Sequence, residues 1–280
     1  MFETVRRHPL KVLTHVAQDP LDALAAFQEE FLSRFESKDP VAYPADPNWD
    51  AGMRAAMGIG PDFARTEFAE LWDAVIQELR GQGMKVGPGS FHAWNDGDAG
   101  FVRAIWTLIR YMRPTNVVET GVAHGMTSRF ILEALERNGE GRLWSIDLPP
   151  INPVTRQEVG VAVGTEALRR RWTYIAGTSR RRLPVLLDRL GQVDLFIHDS
   201  MHSGRNVAFE METAWSRLRP GGAMVVDDID LNPSFGRFVE QHPEFPSFVC
   251  TAEPITPDLR RFNQKGLFGI VLKTPHRVEH

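Results

Sequence analysis

Two apolar runs in the second half of the chain end in acid. Val193-Asp194-Leu195-Phe196-Ile197-His198 leads into Asp199, and Gly222-Ala223-Met224-Val225-Val226 leads into Asp227 and Asp228. Runs of this kind read as buried strands, and in an open parallel sheet the C-terminal strand ends line the ligand crevice. As neighbouring strands, these two would bring Asp199, Asp227 and Asp228 to one place. Carboxylates that close repel one another unless a cation joins them. An all-oxygen set favours a hard ion such as Mg2+, Ca2+ or Mn2+ over zinc. Such an ion lowers the pKa of a coordinated hydroxyl, and a nearby base can then take its proton. His202, three residues past Asp199, has a suitable pKa for that base. The plainer reading makes the aspartates helix caps and His202 a loop residue bonded to backbone. His198 lies within its strand and is expected to point to the core.

A second set lies upstream. Val117-Val118-Glu119-Thr120-Gly121-Val122-Ala123-His124-Gly125-Met126-Thr127-Ser128 reads as a strand, a glycine turn and a helix that starts at a Thr127-Ser128 cap. The free N–H groups of such a start suit an anionic group. The spacing is Glu-x-Gly-x-x-x-Gly, not the G-x-G-x-x-G of a dinucleotide site. Glu119 at the strand end would repel a pyrophosphate but could accept a hydrogen bond from an ammonium. A ligand with both carboxylate and ammonium fits better, and the methionine part of S-adenosylmethionine has both. Asp147 ends the next run, Leu143-Trp144-Ser145-Ile146, where an acidic side chain can take ribose hydroxyls. A surface ion pair for Glu119 and a helix cap for Asp147 are the plainer alternatives. His124 is the one bulky polar side chain inside this turn, where it would crowd the cofactor or face the substrate.

These residues need a frame. Between 116 and 227, short β-rich runs (116–119, 143–147, 173–176, 193–198, 223–227) alternate with helical ones (128–137, 166–171, 181–190, 206–218). That alternation means a parallel sheet with helices on both faces. Two last strands, 247–251 and 267–273, are joined by a turn-like stretch and would pair antiparallel at one edge. The expected fold is therefore α/β: a Rossmann-like, doubly wound, mostly parallel seven-stranded sheet with an antiparallel edge strand and an N-terminal helical extension. Upstream, 21–35 and 63–79 read as amphipathic helices around an irregular, proline-bearing 38–47. Residues 101–112 form a helix capped by Asp98 and closed by Arg113-Pro114. The glycine-rich 81–100 marks the boundary between a helical region, 1–90, for lid, substrate or oligomer contacts, and a catalytic domain, 91–280.

Composition narrows the class. The 280 residues suit one large α/β domain with an extension, and a net charge of −4 gives no footprint for nucleic acid. Arg169-Arg170-Arg171 and Arg180-Arg181-Arg182 read as solvated helix faces. The lone cysteine, Cys250, excludes an intramolecular disulfide or a cysteine zinc site and reads as buried. No apolar stretch approaches a membrane span, and the charged N-terminus is followed by no signal-like run. A cytoplasmic enzyme acting on a small molecule is expected, with the apolar N-terminal helices as surface for a homo-oligomer.

Val-Val-Glu-Thr-Gly-x-x-x-Gly, then Ile-Asp, then Val-Asp-Leu-Phe-Ile-His-Asp, then Pro-Gly-Gly-Ala-Met-Val-Val-Asp-Asp resembles the class I S-adenosylmethionine-dependent methyltransferases over about residues 95–275. The resemblance implies a cofactor site of Glu119, Gly121, Ala123, Gly125, Thr127 and Asp147. It adds Gly177, Thr178 and Ser179 beside the adenine, and Asp199. Aspartate, histidine three residues on, then a paired acidic dipeptide is similar to metal-dependent O-methyltransferases, closest to the antibiotic sugar enzymes of the mycinamicin type. That similarity implies Mg2+ on Asp199, Asp227 and Asp228, with His202 as base and Asp199 beside it in catalysis. Catechol-type enzymes carry Asp-Asn where this chain has Asp-Asp. The rival readings are a metal-independent methyltransferase, an NAD-dependent oxidoreductase and a non-enzymatic cofactor-binding protein.

Overall fold

A computed structural model describes residues 19–36, 41–84, 98–150, 156–253 and 266–274. Four helices precede the sheet: α1 (Pro20–Ser33), α2 (Trp49–Met57), α3 (Arg65–Gly81) and α4 (Ala99–Met112). Strand and helix then alternate: β1 (Asn116–Thr120), α5 (Met126–Asn138), β2 (Arg142–Asp147), α6 (Glu166–Arg169), β3 (Trp172–Ala176), α7 (Ser179–Leu190), β4 (Val193–His198), α8 (Gly204–Arg217) and β5 (Leu218–Val226). Helix α9 (Ser234–Gln241) and strands β6 (Ser247–Thr251) and β7 (Leu267–Leu272) complete the described chain.

The sheet has seven strands in the order β3-β2-β1-β4-β5-β7-β6. β3 through β5 pair parallel, whereas β7 runs antiparallel between β5 and β6. The expected antiparallel strand is thus β7, one place in from the edge, and β6 is the edge. The chain moves from β1 to β2 on one side and returns to β4 on the other. That reversal opens a crevice above the C-terminal ends of β1 and β4.

Alternation along the strands produces two cores. Val117, Leu195, Ile197, Ala223 and Val225 face helices α2 to α5, while Val118, Phe196, Met224 and Val226 face α7, α8 and α9. Burial on both faces is why these strands read as unbroken apolar runs. Trp49 and Met53 of α2 and Phe68 to Leu79 of α3 lie in the first core, so these N-terminal helices pack with the sheet. Helix α1 contributes to neither core. It buries Asp22, Ala23, Ala26 and Glu29 and leaves Leu21, Leu24 and Phe31 exposed.

Two local expectations are corrected, and one helix, α2, was not anticipated. Helix α5 starts at Met126 with Gly125 as its cap, so Thr127 and Ser128 lie inside its first turn. Residues 49–57 are helical, directly after the proline-bearing stretch. Arg180, Arg181 and Arg182 are not a free solvated face, since all three pair with acids of α1 or its flank, Glu29, Asp19 and Asp22. Asp98 does cap α4, accepting from the Gly100 N–H at 2.7 Å, and Arg113 closes it in the left-handed region.

Candidate active site

The ladder runs one residue past the strand ends. The Gly121 N–H donates to Ile146 O, the Asp199 N–H to Thr120 O and the Asp227 N–H to His198 O, each at 2.9 Å. This places Asp147, Gly121, Asp199 and Asp227 in one row across the crevice. Gly121 has φ +86, and a Cβ there would overlap the Asp199 carbonyl oxygen. Only glycine satisfies both the left-handed backbone and the contact. Gly125 (φ +81) is pressed in the same way against Gly160. Residues 156–164 close over the glycine turn, with Gly160 N–H bonded to Ala123 O and Ala162 N–H to His124 O. Nothing in the motif spacing signals that cover. His124 is buried, with its Nε2 3.6 Å from Glu158 of this cover, and burial lowers its pKa.

Glu119 is fully buried. Ser128 of α5 and Ser145 of β2 both donate to its Oε2 at 2.7 Å. Its Oε1 is buried without a partner among the described residues. Burial pushes the carboxyl up to about 7, against the pull of the two hydroxyls. Asp147 Oδ2 accepts from the Val122 and Ala123 N–H groups at 3.2 Å, fixing the glycine turn from below. Burial raises it to about 6. Thr127 sits in the first turn of α5. Gly177, with φ +138, donates its N–H to Asp147 O at 2.9 Å, and Thr178 and Ser179 begin α7 beside it. Of the residues expected around a cofactor, Ala123 and Gly177 are tied directly to Asp147 by these hydrogen bonds.

At the other end of the row, one ligand atom each from Asp199, His202 and Asp227 lie within 4.8 Å of one another. Asp228 is not in that group. It flanks it, with Oδ2 3.6 Å from His202 Nε2, on a backbone at φ +50. Of the expected trio of aspartates, Asp199 and Asp227 thus meet with His202, while Asp228 approaches the same His202 Nε2 that Asp199 does. Asp199 and Asp227 are pushed well above the usual carboxylate range, first by burial and then by the charge of Asp228. Burial lowers the His202 pKa, so the ring is neutral and basic at neutral pH. His202 Nε2 also lies 4.0 Å from Asp199, and its buried Nδ1 has no partner among the described residues.

Beneath this cluster sits a residue with no sequence signal, Glu210 of α8. It accepts from Thr120 Oγ1 at 2.5 Å, Ser200 Oγ at 2.8 Å and Asn206 Nδ2 at 2.9 Å, and lies 2.6 Å from His198 Nδ1. Burial alone would raise its pKa, but His198 and the hydroxyls hold it at about 2. His198 is therefore a core residue, as its place in the strand suggested, yet its ring stacks edge-on with His202 at 5.4 Å.

Residues 118–229 match a family model described as a methyltransferase domain. No curated protein matches the chain. Among solved structures, the O-methyltransferase TomG from Streptomyces achromogenes is similar at 16% identity and TM-score 0.51, covering 80% of this chain and 95% of its own. A putative O-methyltransferase from Klebsiella pneumoniae is similar at 17% identity and TM-score 0.50, covering 71% and 88%. At these identities the structural likeness is one of fold. The matched segment begins inside β1 and reaches just past Asp228, spanning the glycine turn and the aspartate strands. Residues 118–229 are thus similar to a methyltransferase domain, and the chain shares the fold of these O-methyltransferases.

Proposed function

We propose that this is an S-adenosylmethionine-dependent O-methyltransferase that uses a divalent cation, Mg2+ first, and methylates a hydroxyl of a small molecule. The observation that carries the reading is the half-buried cluster of Asp199 and Asp227 with His202 against them. Two partly buried carboxylates this close repel one another as anions, and a cation between them removes that repulsion. A carboxylate-rich set with one imidazole suits Mg2+ or Mn2+.

The cofactor fits the opposite end. Glu119 Oε1, buried and unpaired among the described residues, would accept from the methionine ammonium. Asp147 would take the ribose hydroxyls, with Gly121, Ala123, Gly125 and Thr127 forming the turn beneath and Gly177, Thr178 and Ser179 flanking the base. TomG, described as bound to S-adenosylmethionine and involved in tomaymycin synthesis, shares the fold. S-adenosylmethionine supplies an electrophilic methyl on sulfur, and a divalent ion on Asp199, Asp227 and Asp228 would acidify a bound hydroxyl. The chain's own tasks are to hold that oxygen in line with the methyl and to remove its proton at His202 Nε2. The new O–C bond forms as the S–C bond breaks with its electrons left on sulfur. The similarity to the mycinamicin type points to a sugar or other chelating diol as acceptor.

A metal-free version would have Asp199 and Asp227 relieve their repulsion by keeping a proton, since both are pushed well above the usual carboxylate range. Titration calorimetry separates the two. S-adenosylhomocysteine should bind the wild type, and Mn2+ should bind the wild type but not Asp227→Asn. Cofactor product binding with no Mn2+ binding and activity in EDTA would establish the metal-free reading. No S-adenosylhomocysteine binding would end both.

A further inference from the structure

Three carboxylates seven residues apart, Asp22, Glu29 and Glu36, line the inward side of α1 and the turn after it. Each meets the start of a helix that follows a crevice strand. Asp22 Oδ1 accepts from the Thr178 N–H at 3.2 Å and from Thr178 Oγ1 at 2.9 Å, at the start of α7. Helix α7 has no side-chain cap of its own. The same carboxylate lies directly over Gly177, where a Cβ would come within 2.6 Å of Asp22 Oδ2. Glu29 accepts from Ser203 Oγ at 3.1 Å, and Ser203 is the cap of α8. Glu36 accepts from the Gly204 N–H at 2.6 Å and the Arg205 N–H at 3.2 Å, the first donors of α8.

Helix starts leave unpaired N–H groups with a partial positive charge, and carboxylates satisfy both. Here the carboxylates come from a distant segment. One helix start belongs to the stretch expected beside the adenine, 177–179. The other ends the loop that carries Asp199 and His202. Helix α1 therefore bridges the cofactor end and the metal end of the crevice from outside.

The bridge is made of charge and hydrogen bonds. Only Ala23 and Ala26 give α1 buried apolar contact, and it belongs to neither core. An element docked that way sits at the low-stability end of a fold, so a modest change in the two loops shifts its docking.

We propose that α1 is a positioning element of the active site, whose Asp22, Glu29 and Glu36 hold the two crevice loops in one geometry, so that cofactor binding and α1 docking favour each other. This rests on the cofactor site assigned under the proposed function. Coupling between two events is reciprocal: if docking strengthens binding tenfold, binding strengthens docking tenfold.

The test is hydrogen exchange over residues 20–33 of the full chain, with and without saturating S-adenosylhomocysteine, beside calorimetry on wild type, Asp22→Asn and Glu29→Gln/Glu36→Gln. Exchange across α1 should slow about tenfold on binding. Both variants should bind S-adenosylhomocysteine about five- to tenfold more weakly, with the loss shrinking in high salt. Exchange in α1 that ignores the ligand, together with variants that bind within twofold of wild type, overturns the clamp and leaves the methyltransferase reading standing. A wild type that binds no S-adenosylhomocysteine overturns both. If a variant fails to fold, the wild-type exchange decides alone.

Discussion

Glu119 has one oxygen tied to two serines and the other bare in a buried pocket. With its carboxyl pushed up to about 7, Glu119 keeps a protonated fraction at neutral pH. An ammonium would bind only the ionised form, so binding must release a proton. The affinity for S-adenosylhomocysteine should therefore fall as pH drops from 7.5 through 6, and calorimetry in buffers of different ionisation enthalpy should detect the proton. Glu119→Gln should bind about 10- to 100-fold more weakly at pH 7.5 and lose that pH dependence, the range expected for a charged hydrogen bond. An unchanged pH dependence in the variant would remove Glu119 from the ammonium site. Gly121 is constrained differently. Gly121→Ala needs a left-handed alanine and a shift of the Asp199 backbone. It should cost at least about 2 kcal/mol in denaturant unfolding and displace Asp199 from Asp227. Retained wild-type stability would mean that the turn and β4 are less tightly joined than the geometry indicates.

Elements were legible where their own residues decide their fate. β1, β2, β4 and β5 are buried on both faces, so each is an apolar run, and the acids that end them sit at the crevice because the sheet is parallel. Helix α2 was hidden by the proline-bearing stretch before it and by its short length; Trp49 and Met53 fold it against the first core. Helix α1 was legible as a helix but not in its facing. Apolar periodicity turns Leu21, Leu24 and Phe31 inward, and only the arginines at 180–182 explain why the acidic side goes in instead. Glu210 was invisible for the same reason, since a mid-helix glutamate reads as solvated until its partners on β1, β4 and the following loop are known. Its truncation is a sharp test of that network. Glu210→Ala would strand a buried histidine and hydroxyl donors, so it should destabilise the fold by about 3–5 kcal/mol. It should also weaken Mn2+ binding, because Ser200 and His198 flank Asp199. A stability loss under about 1 kcal/mol would show that the network is dispensable.

At the scale of the whole molecule, the site is a concentration of acid that the fold must hold without its ligands. Glu119 is raised to about 7, and Asp147 and Asp98 to about 6, each mainly by burial. Asp199 and Asp227 are raised as well. Between the ordinary carboxylate range near 4 and these values, the folded chain binds more protons than the unfolded one. Stability contributed by these groups therefore falls as pH rises from about 4 to 7. Glu210, held at about 2, acts oppositely but only below its ordinary value, so it does not offset them in this window. The lowered histidines, His124 and His202, return stability as pH rises from their folded values to the ordinary 6.5, which makes the decline shallower on the approach to 6.5. Without ligands, the melting temperature should decline from pH 4.5 to 6 and flatten towards 7.5. Ligands that prefer the ionised acids bind the folded state more tightly at higher pH, so S-adenosylhomocysteine with Mg2+ should raise the melting temperature more at pH 7.5 than at pH 5. The comparison is internal to one protein and one buffer series, so it reads the acids directly. A ligand-free melting temperature that climbs steadily from pH 4.5 to 6, or a ligand effect equal at both pH values, would mean that the crevice acids are ionised and already satisfied by the chain itself.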